Sequence, residues 1–214
     1  MPLERGELPA PEAFDRVEPG PPRGAERIAR FACEVARRRQ ARGKPGKVTC
    51  VTKSNVLPRT DGLYQEIAGR VVQEAGLAFE HFHVDDAARR LVRFPGSMDV
   101  VLCMNLYGDI LSDLGAETAG GLGLAPSGNF GDGWAYFESV HGSAPDIAGR
   151  GIANPTATIL SAALMLEHMG LGPEALRLEA AVGRVYRDGK VLTPDQGGAA
   201  RTREMAQAIL GAYR

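Results

Sequence analysis

The sequence predicts an α/β fold, and one that is not a standard Rossmann fold. Three observations carry this. Short β-branched runs alternate with amphipathic stretches of helical period along most of the chain. One strand-like run, Met98–Cys103 (MDVVLC), is apolar apart from Asp99, as expected of a buried strand. No G-x-G-x-x-G opens a helix anywhere, so the dinucleotide fingerprint of the Rossmann type is missing.

Residues 1–24 hold six of the fourteen prolines and little apolar periodicity, which predicts an irregular segment. From residue 25 to 39, Ile28, Phe31, Ala32, Val35 and Ala36 recur at helical spacing between charged residues. The breaker Arg42-Gly43-Lys44-Pro45-Gly46 ends that helix. Lys47–Thr52 (KVTCVT) reads as a strand, Gly62–Gly76 as a helix, Leu77–Val84 as a strand and Asp85–Val92 as a short helix. The apolar run Met98–Cys103 leads into a helix over Asn105–Ala119. Glycine is abundant, 27 residues of 214, and much of the excess lies between Gly115 and Gly151, where a functional loop region is expected. Three helices close the chain, at Pro155–Met169, Pro173–Tyr186 and Ala199–Tyr213. The first of them has proline in its first turn.

Composition excludes several classes. A net charge of −1 gives no global field to recruit nucleic acid or an anionic membrane. No apolar run approaches the roughly 18 residues of a spanning helix, and the N-terminus lacks the apolar core of a signal peptide. Cys33, Cys50 and Cys103 are odd in number, far apart and set among apolar neighbours, which predicts buried free thiols and a cytoplasmic location.

Four constellations carry chemistry. Asp109 and Asp113 stand four apart, so a helix puts both carboxylates on one face. A hard cation such as Mg²⁺ or Mn²⁺ would offset their repulsion; a solvated acidic face is the plain alternative. Asp85-Asp86 follows a strand, where α/β proteins bind ligands, yet aspartate there also serves as a helix cap. Lys53 ends the strand KVTCVT, placed either as a proton relay or as an ordinary surface lysine. The stretch Glu138 to Gly149, followed by Asn154-Pro155, is rich in small residues. Its successive N–H groups can cradle an anion, and His141 can stack on an adenine ring; a structural turn would look much the same.

The runs DVVLCMNLYGDILSDL and ESVHGSAPDIAGRGIANPTATILSAALML, with KSNVL after a strand, together resemble the β-decarboxylating dehydrogenases. That family includes the isopropylmalate, isocitrate, homoisocitrate and tartrate dehydrogenases, and the resemblance covers about residues 24 to 214. It implies an isopropylmalate dehydrogenase-like fold lacking its N-terminal part. Residues 25–107 would be part of the central, dimerising domain and 108–214 the later part of the cofactor-binding domain. It implies NAD as cofactor and a shared site in a homodimer. Asp109 and Asp113 would bind Mg²⁺ or Mn²⁺ together with Asp85 of a second copy. Lys53 would act across the same interface, relaying the proton of a malate-type hydroxy acid as hydride passes to the nicotinamide and CO₂ leaves. Asn55 falls near the nicotinamide end. The segment His141, Gly142, Ser143, Ala144, Pro145, Asp146, Ile147, together with Asn154, falls on the adenosine half. Asp146-Ile147 favours NAD over NADP, because an ionised aspartate repels a 2′-phosphate.

The resemblance departs from the family at its front. The family's substrate-gripping arginines and its proton-donating tyrosine have no counterpart before Lys53. The chain is therefore expected to be a truncated or split form, weakly active or inactive alone. A dimerising remnant that serves a full-length homologue as a regulatory subunit is the alternative.

Overall fold

In the computed structural model, which describes residues 21–214, the chain divides into two units. One unit ends at Leu114; the other runs from Gly115 to Arg214. Helix α1 (Pro21–Ala41) buries Ala25, Ala29, Ala32 and Ala36 on one face. Their spacing of four, three and four residues makes a smooth stripe, and helix α2 (Thr60–Glu74) packs against it. The irregular N-terminal segment expected to reach Gly24 is corrected here, because Pro21–Gly24 already form the first turn of α1. Proline is tolerated in a first turn, where its missing N–H has no partner to lose. The rest of that segment lies outside the described residues.

Three parallel strands form the sheet of the first unit: β1 (Val48–Thr52), β2 (Phe79–His83) and β3 (Val100–Cys103), in the order β2-β1-β3. Val48 pairs with Phe79 on one side and Val100 on the other. All five residues of β1 are buried. Its side chains alternate between faces. Val48 and Cys50 pack with α1 and α2, whereas Val51 packs with Ala87 of helix α3 (Val84–Arg93) and Leu111 of helix α4 (Asn105–Thr118). Helices thus cover both faces. The fully buried strand is β1, not the Met98–Cys103 run. β3 is an edge of this sheet and leaves Val101 exposed. An apolar run marks burial on average, and here it lies beside the central strand rather than on it.

The second unit contains an antiparallel hairpin, β4 (Pro126–Phe130) with β5 (Ala135–Ser139), inside the stretch expected to be loop. The sequence PSGNF disguises β4, since proline, glycine and asparagine are all depleted in strands. Gly128 is there for space: a Cβ would meet the Phe130 ring at 2.9 Å and that of Phe137 at 3.2 Å. Those two rings meet edge to face at 5.5 Å. Helix α5 (Thr156–His168) lies on the hairpin, α6 (Gly172–Asp188) on α5, and α7 (Thr202–Tyr213) on α6. Met205 and Ile209 centre the core with Ala181, Val182 and Val185.

Candidate active site

Lys53, Asp85 and Asp109 of the first unit each follow the carboxyl end of a strand. Lys53 is the first residue beyond β1, and its ammonium donates to the carboxylate of Asp85 in the first turn of α3. The hydrogen bond from Lys53 holds the Asp85 carboxyl below the ordinary aspartate value. Neither Asp85 nor Asp86 caps α3: the cap residue is His83, which makes no side-chain cap bond. The two aspartates differ in partner. Asp86 is taken up by Arg89 at 2.6 Å and Arg90 at 2.7 Å on its own helix, while Asp85 reaches across to β1. Asn55 sits exposed in the turn after Lys53, a turn closed by the N–H groups of Val56 and Leu57 on the Lys53 carbonyl.

Helix α4 buries Tyr107 and Leu111 and exposes Asp109 and Asp113. Among the described residues neither exposed carboxylate meets a cation. The Cys103 thiol at the foot of the helix is pushed up to about 11, by burial first and by the charge of Asp109 second. Asp85 does not join the pair: among the described residues no three His, Cys, Asp or Glu side chains come together around a possible ion. One copy thus assembles two carboxylates in one place and a lysine–carboxylate pair in another.

One residue of this region went unnoticed in the sequence. Asp61, in the first turn of α2, is 1% exposed. Its Oδ2 accepts the Lys53 backbone N–H at 2.6 Å and the Tyr107 hydroxyl at 2.8 Å. Thr60-Asp61-Gly62 reads as an ordinary helix start, and only the fold shows that the carboxylate points inward.

In the second unit, β5 runs into the His141 loop. His141 is half-buried, with Nδ1 3.0 Å from the Gly142 carbonyl. Gly142, Ser143, Ala144, Pro145 and Asp146 are exposed, and Pro145–Ile147 forms a 3₁₀ turn. Among the described residues the N–H groups of Gly142, Ser143 and Ala144 make no backbone hydrogen bond. Ala144 is the one described non-glycine residue at positive φ, +46°. Left-handed backbone costs alanine about 1 kcal/mol, a strain often found where a loop is shaped for a ligand. Asn154 is differently placed. Its amide donates to Tyr186 at 3.1 Å and to Asp195 at 2.9 Å, and its Oδ1 accepts the Thr156 N–H at 3.0 Å. That side chain is spent inside the protein, tying the start of α5 to α6 and to the turn at Asp195.

Comparison with known proteins agrees with this layout. The sequence pattern of the isocitrate/isopropylmalate dehydrogenase family matches residues 15–209. A 3-isopropylmalate/3-methylmalate dehydrogenase of Methanocaldococcus jannaschii is 50% identical over 188 residues, 87% of this chain and 56% of that enzyme. The human mitochondrial NAD isocitrate dehydrogenase alpha subunit is 46% identical over 187 residues, 86% of this chain and 50% of that subunit. The chain spans about half the length of the curated relatives it matches. Among solved structures, isocitrate dehydrogenase from Methylococcus capsulatus superposes with a TM-score of 0.83 at 46% identity. The match covers 90% of this chain and 57% of that one. A β-decarboxylating dehydrogenase from Thermococcus kodakarensis gives 0.80 at 47% identity, covering 90% and 55%. On sequence and fold together, the chain belongs to the isocitrate/isopropylmalate dehydrogenase family.

Proposed function

We propose that this chain serves the NAD-dependent, Mg²⁺- or Mn²⁺-dependent oxidative decarboxylation of a malate-type 2-hydroxy acid of the isopropylmalate or isocitrate kind. The observation that carries the reading is the exposed pair Asp109 and Asp113, one helical turn apart with no cation of the described chain between them. Paired carboxylate oxygens suit a hard cation that keeps open positions for substrate and water. Asp109 and Asp113 would hold it from one copy and Asp85 from a second. When bound, the cation supplies a Lewis acid toward the substrate's hydroxyl and carboxylate, and NAD supplies the hydride acceptor.

The remaining roles belong to this chain's side chains. Lys53 stands at the carboxyl end of β1, oriented by its pairing with Asp85; once its ammonium has passed one proton on toward solvent, the free amine would take up the substrate's hydroxyl proton. The open N–H groups after His141 suit the adenosine half of NAD, and the family resemblance assigns Asn55 to the nicotinamide end. Asp146 is exposed in that loop, able to accept from ribose hydroxyls and to repel a 2′-phosphate. Val92, Phe94, Leu106 and Ile110 of the first unit are exposed apolar side chains available to a second copy, which a homodimer with shared sites requires.

The test is a calorimetric Mn²⁺ titration. Wild type binds, and Asp109→Asn loses binding by tenfold or more, about 1.4 kcal/mol. Equal binding by the two proteins removes the metal assignment. For the cofactor, the ratio of NAD to NADP affinity should fall by at least about tenfold in the double variant Asp146→Lys with Ile147→Tyr. An unmoved ratio places the discrimination elsewhere.

A further inference from the structure

Asp61 is a buried carboxylate with no cationic partner among the described residues. Burying such a group is costly unless dipoles compensate. Three do so. The Lys53 N–H donates at 2.6 Å, the Tyr107 hydroxyl at 2.8 Å, and the carboxylate lies in the positively polarised first turn of α2. The Thr60 hydroxyl adds a longer contact at 3.3 Å to the other oxygen. The donors come from two different elements. Lys53 is the residue at the end of β1 whose ammonium meets Asp85, and Tyr107 is two residues before Asp109 on α4. One oxygen atom, Oδ2, thus ties together the segments that present the lysine and the carboxylate pair.

We propose that Asp61 is a positioning residue that holds the Lys53 end of β1 and the carboxylate-bearing helix α4 in one frame, with Tyr107 as its second anchor. The inference rests on the roles given above to Lys53, Asp109 and Asp113. If the Asp61 carboxylate becomes an amide, the one oxygen that both anchors share loses its charge, and both hydrogen bonds to it weaken. The Lys53 backbone then shifts, and its ammonium leaves Asp85.

The chain has four lysines, Lys44, Lys47, Lys53 and Lys190, which makes their labelling easy to resolve. Trace acetylation with acetic anhydride, mapped by mass spectrometry, reads Lys53 against the exposed Lys44 and Lys190 within each molecule. Asp85→Asn sets the ceiling for an unpaired Lys53. Asp61→Asn should raise relative Lys53 labelling about tenfold and Tyr107→Phe about threefold, as expected for loss of hydrogen bonds to a charged group. A lowered melting temperature with Lys53 labelling at the wild-type level in both variants would overturn the proposal, leaving Asp61 a purely structural group. If Asp61→Asn does not fold, Tyr107→Phe decides, because it keeps the buried ring. Mn²⁺ titration of the same proteins separates the two readings. Raised Lys53 labelling in Tyr107→Phe supports positioning even where wild type binds no Mn²⁺, a result that removes only the metal assignment.

Discussion

The two ends of β1 are each held by a buried carboxylate, and the two carboxylates are compensated in different ways. At the amino end, the Asp99 side chain is 4% exposed and meets the Arg39 guanidinium at 2.5 Å. Its other oxygen accepts the Gly46 N–H at 2.7 Å. The neighbouring Lys47 is also engaged, at 2.7 Å from Glu80 and 2.8 Å from the Ser97 carbonyl. Every charge named there is closed by an opposite charge. At the carboxyl end, Asp61 is held by a backbone N–H and a phenol, and the ammonium of Lys53, whose backbone it holds, is turned to Asp85. Ligands of open parallel sheets bind beyond the carboxyl ends of the strands. The contrast shows how a fold can bury a carboxylate without consuming a lysine: dipoles do the compensating, and the cation is left for the site.

The largest expected effect is at the closed end. Asp99→Ala leaves the part-exposed Arg39 guanidinium without its partner and the buried Gly46 N–H without an acceptor. Unfolding in urea should show a loss of about 2 kcal/mol, chiefly from the unsatisfied N–H and the lost charged hydrogen bond. A loss under about 1 kcal/mol would mean that the amino end is not stapled by charge. Next in size is Tyr107→Phe at the open end, which removes one donor and keeps the ring among its neighbours. About 1.5 kcal/mol is expected for a hydrogen bond to a charged acceptor. Equal losses in the two variants would erase the distinction between an ion-paired end and a dipole-compensated one.

Much of this was legible before the structure. The strand runs KVTCVT and LAFEHFHV and the helices around them are written in apolar period, and the observed β1, β2, α2 and α3 follow them within a few residues. What stayed hidden has physical reasons. The hairpin Pro126–Ser139 carries residues that elsewhere break strands, and its reason for Gly128 lies in rings that sequence alone does not bring together. Asp61 and Asp99 look like solvated carboxylates because burial of a charge leaves no mark in composition. Asp99 did carry a faint signal, a lone charge at the head of the apolar run MDVVLC. Lys53, Asp85, Asp109 and Asp113 were legible as residues to watch through motif resemblance. That Lys53 pairs with Asp85 in the same copy, and that Asn154 spends its amide internally, follows only from three-dimensional placement.

Acid should distinguish the two ends with the smallest effect of the series. At the amino end, burial works to raise the Glu80 carboxyl, but hydrogen bonds from Lys47 and Thr49 outweigh it, and the net value lies below the ordinary one. At the carboxyl end the Asp85 carboxyl is lowered, chiefly by the hydrogen bond from Lys53. A carboxyl that is lower in the folded than in the unfolded chain binds fewer protons when folded. Its stabilisation is present above the ordinary carboxylate value, about 4, and is lost as pH falls through the lowered folded value. The two groups differ in screening. The Glu80 side chain is 27% exposed and that of Asp85 69% exposed, so water and salt weaken the Asp85 pair more. Melting temperatures from about pH 7 to about pH 3 should therefore flatten more in Glu80→Gln than in Asp85→Asn. In about 1 M salt, where the Debye length is about 3 Å, the Asp85→Asn curve should merge with wild type while part of the Glu80→Gln difference persists. If Asp85→Asn flattened the profile more than Glu80→Gln, the open end would be carrying stability. Lys53 would then be a structural cation, and the division between the two ends of β1 would fail.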